Sequence, residues 1–172
     1  MTSSRHILFV LGGARSGKSR HAQARAEAHD GELVFLATAQ AFDDEMRDRI
    51  ARHRADRGPR WRTVEAPLDL ASTLAAEADP ARVVLVDCLT LWTSNLLLAD
   101  RDIVAATEEL VAALGEARGP VILVANEVGL GIVPDNALAR RFRDAAGTLN
   151  QAVARAADEA LFLAAGLPMR LK

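Results

Sequence analysis

Eight residues constrain this chain more than any others: Gly12-Gly13-Ala14-Arg15-Ser16-Gly17-Lys18-Ser19. They satisfy the P-loop pattern G-x-x-x-x-G-K-[ST], whose meaning depends on what flanks it. An apolar, β-prone run, Ile7-Leu8-Phe9-Val10-Leu11, precedes them, and a segment with helical character, Arg20 to His29, follows. A strand feeding a glycine-rich turn that opens a helix wraps successive backbone N–H groups around a concave anion nest. The helix N-terminus adds about half a positive charge at the same point. In such a loop Lys18 reaches the β- and γ-phosphates, and the Ser19 hydroxyl holds Mg²⁺. The expected ligand is a nucleoside triphosphate with its magnesium ion. A glycine-rich turn without a ligand leaves Lys18 and Ser19 together without a reason.

The rest of the chain repeats the strand-then-helix rhythm. Leu33–Ala37, Val83–Val86, Val121–Val124 and Ala160–Leu163 are short apolar runs. Near-continuous apolar runs, rather than alternation, indicate strands buried on both faces of a parallel sheet. Helices are expected over Asp43 to about Arg57, Asp69–Ala78, Ile103–Arg118 and Asn136–Asp158, with another apolar helix after Asp87. Asp43-Asp44-Glu45 puts acidic residues at the positive end of one dipole, and Gly58-Pro59 and Gly119-Pro120 end two helices. Ala164–Pro168 reads as a turn, so that Met169–Leu171 returns as an antiparallel edge strand. The fold class is α/β: one domain over 1–172, P-loop NTPase-like, a doubly wound and mainly parallel sheet with helices on both faces.

Composition narrows the function classes. A net charge of −2 gives no global signature of nucleic-acid or anionic-membrane binding. No apolar run approaches the roughly 20 residues that span a bilayer, and Met1–His6 is too short and polar for a secretory signal. A single cysteine, Cys88, excludes an internal disulfide and suits a reducing compartment. A cytoplasmic enzyme is expected, with no nucleic-acid or membrane partner.

Two further features carry chemistry. Asp87 ends the run Val83-Val84-Leu85-Val86, the pattern in which a strand-end carboxylate supports Mg²⁺ beside the P-loop hydroxyl. Read alone, it is also an ordinary helix-capping acid, with Thr90 as a second cap. In the predicted helix from Asp43, His53 has Arg49 four residues before it and Arg57 four after it, with Arg52 and Arg54 between them. Arg49 and Arg57 therefore flank one face. A cationic field disfavours the imidazolium, leaving a neutral nucleophile among phosphate-binding arginines. On spacing alone, a solvated helix face with an incidental histidine is the better account.

A resemblance changes that balance. Gly12–Ser19 followed by Arg20-His21-Ala22, then Ala37-Thr38-Ala39, Asp43–Met46, Arg49-Ile50 with His53, Trp61-Arg62-Thr63-Val64-Glu65, Asn126–Gly129, Val133-Pro134 and Phe142–Gln151 occur in that order. Together they resemble the bifunctional adenosylcobinamide kinase / adenosylcobinamide-phosphate guanylyltransferase family of cobalamin biosynthesis. The resemblance runs from about Ile7 to Lys172. It implies phosphorylation of the aminopropanol hydroxyl of adenosylcobinamide with ATP or GTP. It also implies transfer of GMP from GTP to that phosphate through a guanylylated histidine, here His53. By the same resemblance, nucleotide contacts fall on Gly12, Gly13, Ala14, Arg15, Ser16, Gly17, Lys18, Ser19, Ala37, Thr38, Ala39, Arg54, Ala55, Asp56, Arg57, Glu65 and Asp87. Ser19 and Asp87 would serve the nucleotide's Mg²⁺, and Lys18 and His53 would be catalytic. Family members are trimers, and the apolar helix after Asp87 is the expected contact.

Both transfers draw on one nucleotide, so one P-loop site with His53 near its rim is expected. Glu65 is a candidate acceptor for guanine N1–H and N2. Glu127, Asp87 and Glu65 are candidate bases for the kinase step, and the glycine-rich loop from Asn126 to Pro134 is a candidate corrinoid contact. Two other readings stand beside this one. A P-loop kinase of another small alcohol or nucleoside leaves His53 idle, and a nucleotide-dependent regulatory ATPase needs a protein partner.

Overall fold

The computed structural model describes residues 5–172, with the side chains of Arg49, His53 and Asp56 outside the described set. Among the described residues one seven-stranded sheet forms, comprising β1 (Ile7–Gly12), β2 (Glu32–Ala37), β3 (Trp61–Glu65), β4 (Arg82–Asp87), β5 (Val121–Asn126), β6 (Glu159–Ala164) and β7 (Leu167–Arg170). The spatial order is β3-β2-β4-β5-β1-β6-β7. All neighbours are parallel except β6 and β7, an antiparallel pair. The helices are α1 (Lys18–Glu27), α2 (Asp44–Asp56), α3 (Leu70–Glu77), α4 (Leu89–Leu98), α5 (Ile103–Glu116) and α6 (Ala137–Ala156).

Right-handed crossovers decide which face each helix covers. The links β1→β2 and β2→β3 run toward the β3 edge, and the others run toward β7, so α1 and α2 share one face and α3–α6 the other. The core divides accordingly. Leu8, Val10, Leu33, Phe35 and Leu85 meet Ala22 and Ala26 of α1. Phe9, Val34, Leu36 and Val86 meet Leu74, Trp92, Leu110, Leu149 and Val153 of the opposite helices. Strands covered on both sides are what the unbroken apolar runs anticipate.

The strand not anticipated as one is β3. Its sequence, Trp-Arg-Thr-Val-Glu, has no apolar run because it lies at the sheet edge and is only half-buried. Helix α1 begins at Lys18, two residues earlier than the apolar pattern suggests, because Gly17 (φ 91°) caps it. Asp43 caps α2 by accepting from the Met46 N–H at 2.7 Å, as its acidic start implies. The cap of α4 is Cys88, whose Sγ accepts from Leu91 N, and not Thr90. Thr90 instead accepts the Asn126 N–H at 2.7 Å, joining the start of α4 to the end of β5. Ala165 (φ 52°) and Gly166 (φ 77°) form the two-residue turn of the terminal hairpin, both left-handed as a type I′ turn requires. No described helix is long and apolar enough to cross a membrane.

Candidate functional site

The P-loop leaves β1 at Gly12 and enters α1 at Lys18. Arg15 (φ 54°) and Gly17 (φ 91°) both adopt left-handed backbone conformations, and the Ser16 N–H donates to the Gly13 carbonyl at 3.3 Å. Left-handed residues among right-handed ones turn consecutive N–H groups inward, which is the geometry of an anion nest. Lys18 is buried, with its Nζ donating to the Gly13 carbonyl at 3.0 Å. Among the described residues, Ser16 Oγ is buried and without a hydrogen-bond partner, an orphan polar atom in the cradle.

Two neighbours fix this loop. A Cβ on Gly12 would lie 2.6 Å from Ser16 Oγ and 2.7 Å from the Leu163 carbonyl oxygen, so only glycine fits. The hairpin tip leans in from the other side, where Gly166 N–H donates to the Ser16 carbonyl at 2.8 Å. The terminal hairpin therefore buttresses the phosphate cradle.

The strand register assembles the rest of the rim. Ala37 pairs with Asp87 on one side and Glu65 on the other, so β2, β3 and β4 each place one expected site residue on a single rung. Gly12 pairs with Asn126, and the Glu127 N–H donates to the Gly12 carbonyl at 2.9 Å. Only β5 separates β4 from β1, so the ends of those strands are about 10 Å apart. Carboxyl ends of parallel strands are where open α/β sheets bind ligands.

Thr38 lies just beyond this rung, fully buried. Its hydroxyl donates to the Cys88 carbonyl at 2.7 Å and accepts the Cys88 N–H at 2.9 Å. Asn95, the polar residue in the apolar face of α4, donates to the carbonyls of Thr38 (2.7 Å) and Pro67 (2.9 Å). This lock ties the ends of β2 and β4 together and holds Asp87 in place. Burial pushes the Cys88 thiol up, as suits a packed side chain and not a thiolate.

Helix α2 delivers the arginine segment. Its described side chains are exposed, apart from the half-buried Met46 and Ile50. At its end, Arg57 folds inward with its guanidinium carbon 3.6 Å from the centre of the Phe35 ring. Burial holds the Arg57 guanidinium below its ordinary pKa, and the field of Asp87 acts in the opposite direction. The stacked Arg57 therefore places the end of α2 against β2, whose last residue, Ala37, shares a rung with Asp87. Arg54 and Ala55 are exposed, and Ala39 is half-buried. His53 and Asp56 lie outside the described side chains. Glu65 and Ser19 are exposed.

His21 on α1 has its Nε2 buried without a partner among the described residues, and burial followed by Arg25 holds its imidazole below the usual range. A neutral, enclosed ring fits a structural place beside the P-loop. Sequence reasoning did not single out Phe35, Asn95 or Gly166 as site residues. A lone asparagine among leucines was a usable signal for Asn95, whereas Phe35 looked like one more core residue.

Comparison with known proteins covers nearly the whole chain. Residues 8–171 match the family model described as "Cobinamide kinase / cobinamide phosphate guanyltransferase". The bifunctional adenosylcobalamin biosynthesis protein CobP of Pseudomonas aeruginosa is 53% identical, over 95% of this chain and 96% of its own. The bifunctional adenosylcobalamin biosynthesis proteins CobU of Escherichia coli and Salmonella typhimurium are 41% and 40% identical, each over 96% of this chain and 99% of its own.

Proposed function

The chain belongs to the cobinamide kinase / cobinamide phosphate guanyltransferase family, and from that premise we propose that one nucleotide site on the sheet rim serves two successive transfers. The protein is a bifunctional kinase and guanylyltransferase of adenosylcobalamin biosynthesis. The observation that carries the one-site reading is the stacking of Arg57, at the end of the His53 helix, on Phe35 of β2, the strand whose end shares a rung with Asp87.

In the kinase step the adenosylcobinamide hydroxyl oxygen bonds to the γ-phosphorus as the bridging oxygen leaves with the nucleoside diphosphate. The N–H groups of the loop and the Lys18 ammonium stabilise charge spread over the γ-phosphoryl oxygens. The hydroxyl proton passes to a rim carboxylate, a role for Glu127, whose backbone is bonded to Gly12. Ser19, in the first turn of α1, and Asp87, one strand away, fit a magnesium site, and the unpartnered Ser16 Oγ fits a phosphate cradle. Bound Mg²⁺ would neutralise the β,γ-oxygens there.

In the second step a ring nitrogen of neutral His53 attacks the α-phosphorus of GTP, and pyrophosphate leaves. The phosphate oxygen of adenosylcobinamide phosphate then displaces the histidine, giving adenosylcobinamide-GDP. Arg54 and Arg57 bear on the phosphates, Ala37–Ala39 line the rim, and Glu65 accepts from guanine. The loop after β5 exposes Leu130, Ile132 and Val133 at the same rim and forms the apolar approach for the corrinoid. The protein works in the cytoplasm, where its single cysteine stays reduced. It works as a homotrimer that meets its copies through the exposed Leu91 and Leu98 of α4.

The test is covalent labelling. Protein, Mg²⁺ and GTP labelled at the α- or the γ-phosphate are mixed and then denatured. An acid-labile, alkali-stable label from α-labelled GTP alone, absent in His53→Asn, is the expected result. No label from a folded, GTP-binding protein removes the histidine step and leaves a simple kinase.

A further inference from the structure

Resting on the nucleotide-site reading above, we propose that Phe35 is a positioning residue, whose ring holds the Arg57 guanidinium by its face so that its N–H edges meet the nucleotide's polyphosphate. Phe35 occupies the middle of β2 on the α1 side. Its ring carries the guanidinium carbon of Arg57 at 3.6 Å from the centroid. That distance and placement are those of a cation on a π-face.

The ring is itself set by a chain of contacts. Trp61 of β3 meets Phe35 edge to face, with centroids 6.2 Å apart and planes at 80°. The Trp61 Nε1–H donates to Glu27 Oε1 at 3.0 Å, and Gln23 donates to the same oxygen at 2.8 Å. Glu27 is the last residue of α1, the helix that the P-loop opens. The aromatic shelf is therefore anchored to the phosphate-binding helix, and α2, whose described side chains are exposed apart from the half-buried Met46 and Ile50, meets the shelf through Arg57.

Face-on stacking occupies the guanidinium plane and leaves its edges for in-plane acceptors. Phosphate oxygens match those edges two at a time. Among the described residues, Arg57 Nε is buried without a hydrogen-bond partner, a state that native sites retain when a ligand supplies the acceptor. The negative field of Asp87 favours the charged guanidinium. Arginine is thereby specified over lysine, because an ammonium offers neither a plane to stack nor a fork to present.

The test is a double-mutant cycle on GTP dissociation constants, measured by calorimetry with EDTA and again with Mg²⁺, with a thermal melt of each variant. Arg57→Gln weakens binding about 10–100-fold, the loss of a charge-assisted pair. Phe35→Leu and Arg57→Lys each weaken it about 5–30-fold, and Phe35→Tyr stays within about twofold. Phe35→Leu combined with Arg57→Gln binds no more weakly than Arg57→Gln alone. The proposal is overturned if the two losses multiply, if Phe35→Leu lowers the melting temperature without changing affinity, or if Phe35→Tyr fails to rescue. Should Phe35→Leu not fold, Arg57→Lys at the helix end decides, and wild-type affinity in that variant overturns the proposal. Wild-type protein that does not bind GTP removes the nucleotide-site reading itself, a separate failure.

Discussion

The P-loop and the His53 helix sit on the same face of the sheet, yet they are held in opposite ways. β1 is a central strand with apolar layers on both sides, and its loop is clamped between Leu163, Gly166 and Glu127. Helix α2 shows mostly exposed side chains and meets the aromatic shelf through Arg57. Groups that stabilise a developing charge work best when preorganised, which requires burial and bonded neighbours. An arm that must present an arginine cluster to a highly charged ligand can instead be placed by one stacked cation and an electrostatic field. Core packing sets the first region, and the stacked Arg57 marks the contact of the second.

The sharpest way to break the contrast is to spoil the clamp. Gly12→Ala places a methyl group 2.6 Å from Ser16 Oγ and 2.7 Å from a backbone oxygen. We expect GTP binding and both transfers to fall at least about 100-fold, in line with losing a preorganised donor set, as read by calorimetry and initial rates.

Stability separates the regions next. Leu8→Ala in β1, whose side chain is buried between the sheet and α1, should cost about 2–5 kcal/mol in urea unfolding. Ile50→Ala in α2, half-buried on a helix whose other described side chains, Met46 apart, are exposed, should cost under about 1.5 kcal/mol. Equal losses would show that α2 is packed as firmly as the P-loop strand.

Thr38→Val tests the lock between β2 and β4 that holds Asp87. The change keeps the shape and deletes the hydroxyl that bridges Cys88 N–H and C=O. A loss of about 1–3 kcal/mol is expected, because a buried donor and acceptor are left unpaired.

The smallest effect lies at the opposite end of the sheet and serves as a control. Hydrogen bonding from Arg25, assisted by His6, holds the Glu159 carboxyl at about 2, against an ordinary 4.5. A depressed carboxylate adds stability that is present above its unfolded value and is lost as pH falls. The contribution should fade between pH 4.5 and about 2. Glu159→Gln should flatten that part of a melting-temperature profile without altering GTP affinity near neutral pH.

Much of the fold could be read in advance, because buried parallel strands declare themselves as unbroken apolar runs. The edge strand β3 could not, since half-burial lets Arg62 and Glu65 replace apolar residues. The Thr38–Cys88 and Asn95–Thr38 contacts span 50 and 57 residues, and no periodicity reports pairings of that range.

By itself, the sequence determined the phosphate cradle, the alternating sheet and the strand-end carboxylate. Those depend on contiguous residues, where backbone conformation and apolar patterning act locally. Only the tertiary structure decided that Ala37, Glu65 and Asp87 share a rung, that the last hairpin buttresses the P-loop, and that Phe35 carries Arg57. Such contacts depend on strand order and register, which bring distant residues together and are set by the packing of the whole sheet.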